Sequence, residues 1–152
     1  MPFHAHPRHK KKFKPRPDLR QRLDEIGHVL QVLRDLSVHE KTKKKLIDRA
    51  LWLVAELSGD FSPRYRSDGV LRNPGMKVQR DHIYPRKMLI AEILSEGADF
   101  GTVIERSICC LVTEEEHKRL SAVPSSVTGW ERYKQASVVV RDMSEYDPEN
   151  EA

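Results

Sequence analysis

The chain has 152 residues, 33% charged and 38% hydrophobic, with a formal net charge of +4 and a sequence pI near 9.1. That length suits one domain with a real core, and no apolar run approaches the roughly 20 residues of a membrane span. The basic start lacks the apolar stretch of a secretory signal, and the two cysteines, read as reduced, lead to the expectation of a cytoplasmic protein.

Residues 1–17 carry His4, His6 and His9, several prolines and a run of lysines and arginines. Such a stretch buries little and reads as a disordered basic tail, its histidines a loose metal site or incidental. Arg8, Lys10, Lys11, Lys12, Lys14 and Arg16 are candidate contacts to nucleic-acid phosphates, because clustered cations bind phosphate by releasing counterions. A solvated tail that only aids solubility is the competing account.

Asp18, after Pro17, is placed to cap a helix. Leu19, Leu23, Ile26, Leu30 and Leu33 then recur at helical steps and predict a helix ending near residues 37–39. A second helix is predicted from about 41 to 58, with Leu46, Ile47, Ala50, Leu51, Val54 and Leu57 on its buried face and Gly59 as its stop. Lys43, Lys44 and Lys45 oppose the dipole at its start, which suggests that this end serves another purpose.

Residues 61–75 read as loop, with Pro63, Gly69, Pro74 and Gly75. Arg64 and Arg66 flank Tyr65 there, a grouping suited to phosphate contact and stacking or to structural packing. Residues 76–83 have strand character and end on Asp81-His82, which a strand directs to opposite faces. After Pro85 a helix is predicted over 86–96, its first residues Arg86 and Lys87 being further candidate phosphate contacts. A short helix or turn follows over 100–106. Residues 107–112 form a buried strand in which Cys109 and Cys110 belong to the core. These two cysteines, adjacent and outside any CxxC pair, read as reduced thiols. Thr113-Glu-Glu-Glu116 is a capping-box pattern opening a helix that carries His117. Residues 130–135 predict one more helix with Trp130 and Tyr133 packing inward, and 137–140 a last strand.

Asp81-His82-Ile83-x-Pro85, followed by Ile108-Cys-Cys-Leu-Val-Thr-Glu-Glu-Glu-His117, resembles the ββα metal unit of HNH endonucleases over roughly the central third of the chain. The resemblance implies that His82 is the general base and that Asp81 and His117 are ligands of a divalent metal. Phosphodiester hydrolysis needs a deprotonated water and a neutralised phosphate, which an imidazole and a bound cation supply. Magnesium suits the carboxylate, and manganese, nickel or zinc the histidine. The chain is a divergent match. The family's middle asparagine is missing, Ile108 standing in its place after Ser107, and the zinc-knuckle cysteines of many members are absent.

The resulting expectation is an α+β protein, mainly helical, with a single domain over 18–143, a small antiparallel sheet and a ββα-metal-like core. An acidic tail follows over 144–152. The expected function is HNH-like, metal-dependent cleavage of DNA or RNA, from an intact or a degenerate centre. The alternative is a non-enzymatic nucleic-acid-binding or protein-interaction factor on the same scaffold, for example a phage or bacterial accessory protein.

Overall fold

The computed structural model describes residues 3–4, 12–57, 63–73 and 75–145. The expectations placed on Arg8, Lys10, Lys11, His6, His9, Gly59 and the acidic residues after Glu145 lie outside them. The fold is α+β and mainly helical, with a small sheet. No described helix is long and apolar enough to cross a membrane. Contacts divide the chain into two compact units, residues 1–14, 59–83 and 109–152 in one and 15–58 and 84–108 in the other.

The helical unit is built from α1 (Leu19–Asp35), α2 (Glu40–Leu57), α4 (Arg86–Leu94) and α5 (Phe100–Arg106). Its core joins Ile26 and Leu30 of α1 to Ile47, Leu51 and Val54 of α2, Leu89 and Ile93 of α4, and Val103 of α5. These are residues that the helical spacing placed on the buried faces, together with Val103 and Ile104, which the sequence left unassigned on α5. Asp18 stands at the N-cap of α1, but its side chain does not make the expected cap; its carboxylate is held instead by Arg16 and Arg22. Of the three lysines at the start of α2, Lys43 reaches α1. Lys43 Nζ donates to the Arg34 carbonyl at 2.7 Å, satisfying an orphan acceptor in the last turn of α1.

In the other unit a five-stranded sheet has the order β1 (Phe3–His4), β3 (Lys77–His82), β4 (Cys109–Thr113), β2 (Tyr65–Ser67), β5 (Val140–Asp142). All pairs are antiparallel except β2 with β4, so the sheet is mixed where a purely antiparallel one was expected. The short strand β2 and helix α3 (Asp68–Arg72) occupy the stretch read as loop. Ser67 caps α3 by accepting from the Val70 amide. β4 is buried along its whole length, between strands on both sides.

β4 passes directly into α6 (Glu114–Ala122) through the capping box that the sequence announced. Thr113 Oγ1 accepts from the Glu116 amide at 3.1 Å, and Glu116 Oε1 accepts from the Thr113 amide at 2.8 Å. Helix α7 (Gly129–Gln135) completes the unit, tied to the end of β3 by the Gly129 amide on the Ile83 carbonyl. Trp130 is 39% exposed, not packed inward, although its ring meets those of Tyr65 and Tyr133. The last strand begins at Val140, later than expected.

Candidate functional site

β3 and β4 pair antiparallel, and α6 follows β4, so strand, strand and helix stand in the order of a ββα unit. The register sets Asp81 opposite Cys110 and His82 opposite Cys109. Directly opposed residues share a face and neighbours on one strand do not. Asp81 therefore looks to one face of the sheet and His82 to the other.

On the first face Asp81 is 5% exposed and surrounded by donors. Arg132 of α7 grips it with both terminal nitrogens, Nη1 to Oδ2 at 2.7 Å and Nη2 to Oδ1 at 3.2 Å. Such a fork-to-carboxylate pair is among the stronger charge-assisted contacts. The Tyr133 hydroxyl donates to Oδ2 as well. Burial, with Cys110 and Asp81 nearby, pushes the Tyr133 phenol far above its ordinary range, so it stays a protonated donor. His117 of α6 brings Nε2 to 3.8 Å from Oδ1. Arg132 is itself oriented by two carbonyls, Nε donating to Leu120 at 3.3 Å and Nη1 reaching His82 at 3.5 Å. Cys110 lies under this cluster, its thiol raised well above the usual range by burial first and by the nearby carboxylates second.

His82 Nδ1 stands 3.3 Å from Cys109 Sγ, and its Nε2 is buried. Of the residues singled out in the sequence, Asp81 and His117 are brought together, and His82 faces the other side of the sheet. A general base must come within hydrogen-bond reach of the water it deprotonates. Here a buried Nε2 and a thiol-facing Nδ1 offer no such approach.

A divalent ion would have to sit between Asp81 and His117. The arrangement does not fit one. Both carboxylate oxygens already accept from Arg132, Oδ2 accepts from Tyr133 too, and the Arg132 charge supplies the neutralisation that a cation would give. Among the described residues no group of three or more His, Cys, Asp or Glu side chains is placed to hold a metal ion.

The described candidate phosphate contacts separate into exposed cations and cations committed to structural contacts. Lys12, Lys14, Arg16 and Lys87 are exposed, Arg16 paired with Asp18. Arg64 is bound to Asp142 through Nε and Nη2 and lies over the Tyr65 ring. Arg86 pairs with Asp48 at 2.8 Å, stacks on Trp52 and, with Lys87, lines a groove of about 610 Å³ on the helical unit. Arg66 needs correction. It is fully buried, donates Nε to the Pro63 carbonyl and is pushed down to about 10 by desolvation, so its guanidinium is not presented to an external phosphate.

Arg132 and Tyr133 are the side chains at this site that sequence reasoning missed. Tyr133 was placed inward as core. Nothing local marks either as a partner of Asp81, since the contact spans 51 and 52 positions. No protein-family model matches the chain, and no curated protein or solved structure matches it.

Proposed function

We propose that the protein binds DNA or RNA through its phosphate backbone, using an HNH-like ββα unit as scaffold and not as a cleavage centre. The observation that carries the reading is the state of Asp81: it occupies the metal-ligand position that the resemblance implies, yet its carboxylate is taken up by Arg132 and Tyr133. Exposed lysines on the same unit support the nucleic-acid half of the reading. Lys12 and Lys14 precede the helical unit, Lys77 starts β3, Lys118 lies on α6 and Lys134 on α7. Backbone binding needs such cations and no base-reading groove element. The two buried cysteines, not joined in a disulfide, fit a reducing compartment, so a cytoplasmic location belongs to the same proposal.

Anisotropy titrations of labelled single-stranded and duplex DNA and RNA across a salt series test the reading. Binding with a steep negative salt slope is expected. Affinity that is absent at low salt refutes it.

Metal-dependent cleavage is the second reading, favoured by the 3.8 Å approach of His117 Nε2 to Asp81 Oδ1. Plasmid nicking in Mg²⁺, Mn²⁺, Ni²⁺ or Zn²⁺, abolished by His117→Ala without loss of fold, would establish it in place of the first.

A further inference from the structure

We propose that Arg132 is the resident cation of the ββα unit: its guanidinium masks a divalent-cation site formed by Asp81 and His117, and makes the unit independent of metal. The inference rests on the HNH-like reading for its premise that a cation belongs beside Asp81. Everything else is geometry. Asp81 Oδ1 is shared between Arg132 Nη2 at 3.2 Å and His117 Nε2 at 3.8 Å, so the guanidinium and the imidazole converge on one oxygen. A carboxylate oxygen and an imidazole nitrogen that close together are a pair of ligands for manganese or zinc once the competing charge is gone.

Arg132 is built into the place it holds. It comes from α7, outside the β3–β4–α6 frame, and is 16% exposed. Carbonyls of Leu120 and His82 fix the plane of its guanidinium, as outer partners fix a metal ligand. His117 is 36% exposed, so its imidazole is in reach of solvent while Asp81 is not. An ordinary buried salt bridge would need the Arg132–Asp81 contact alone. It would not need a histidine aimed at the same oxygen from the helix that the resemblance singles out.

The test reads Mn²⁺ binding to the full-length protein, by loss of the free-ion paramagnetic signal and by the thermal midpoint with Mn²⁺ or EDTA. No nucleic acid is present, so failure of the binding function and failure of this inference are separate results. Wild type should show a midpoint indifferent to EDTA and to Mn²⁺. Arg132→Ala should bind Mn²⁺ at least about tenfold more tightly than wild type, as removal of a competing internal charge at a ligand pair demands. Its midpoint should rise on adding Mn²⁺, and His117→Ala in the same background should erase both gains. Histidines elsewhere in the chain are common to all variants and cancel in the comparison.

Arg132→Gln, which keeps a hydrogen-bond donor without the charge, covers the case in which the alanine variant fails to fold, and is expected to show the same gain. Two outcomes overturn the inference. One is a wild type that binds one equivalent of Mn²⁺ and loses it on His117→Ala, since the site would then be open already. The other is no gain in Mn²⁺ affinity in either Arg132 variant, which would make the contact a structural ion pair and nothing more.

Discussion

Alanine at Gly69 sets helix propensity against one close contact. In an exposed helix interior, glycine to alanine gains about 1 kcal/mol, and Gly69 lies within α3. A Cβ there, however, would stand 2.7 Å from Glu116 Cδ and Oε1 and 2.8 Å from Oε2. The carboxylate has little room to retreat, because Oε1 is held by the Ser67 hydroxyl and the Thr113 amide and the residue is only 6% exposed. Disrupting the hydrogen bonds of a buried carboxylate costs roughly 2–4 kcal/mol. The net effect of Gly69→Ala is then a destabilisation of about 1–3 kcal/mol, or a fall of roughly 3–10 °C in the midpoint for a chain of this size. Trp52 and Trp130 are the two tryptophans and fall in different units. In a Trp52→Phe background, urea-induced change in Trp130 fluorescence therefore reports the sheet-bearing unit. The same substitution in a Glu116→Ala background should be neutral or stabilising. A Gly69→Ala protein as stable as its parent would refute the reasoning, as would an equal loss in the Glu116→Ala background.

Further outcomes follow from the charged groups. Arg64 beside Asp142 holds that carboxyl down at about 2, below its ordinary 3.8. A depressed folded-state value gives stability that is present above the ordinary value and is lost as pH falls through about 2. Asp142→Asn should therefore flatten the acid limb of the stability curve between those values; an unchanged limb in pH-jump denaturation would show that the pair contributes nothing. Arg66→Ala should cost roughly 3–5 kcal/mol through the lost volume and the lost bond to Pro63, and Arg66→Met distinctly less, because an apolar chain fills the site without a charge to desolvate. Equal losses on urea melts would count against that account. For nucleic-acid binding, Lys12→Ala with Lys14→Ala should lower the magnitude of the salt slope by roughly 2, and an unchanged slope would remove these lysines from the interface.

Legibility in the sequence followed the range of the interactions. Helices α1 and α2 were readable because Leu19 to Leu33 and Ile47 to Leu57 repeat at 3.6-residue spacing, and the Thr113–Glu116 capping box because its partners are three positions apart. Strand β2 was not. Tyr65-Arg66-Ser67 is too short to show alternation, and it buries an arginine where a strand core usually has an apolar residue. The parallel β2–β4 pair likewise joins segments with no local signal for each other. At the site, the approach of His117 to Asp81 could be anticipated only through the family resemblance. The hold of Arg132 and Tyr133 on Asp81 had no counterpart in any motif, since an arginine and an inward-facing tyrosine on a helix have many ordinary uses.

The β3–β4 pair forms an antiparallel ladder without a hairpin turn of its own. Between His82 and Cys109 the chain leaves the sheet and contributes α4 and α5 to the helical core. Compared with a tight turn, so long an excursion costs only roughly 1–2 kcal/mol in closure entropy, because that cost grows with the logarithm of length. The cost shrinks further if the excursion is already folded and its ends are held near each other. Folding of α4 and α5 onto α1 and α2 would then act as the turn that brings Asp81 level with Cys110, making the helical core an early step toward the strand register. A cavity mutation such as Leu89→Ala, far from Asp81 in sequence, would in that case slow the closing of the ladder that carries the candidate site.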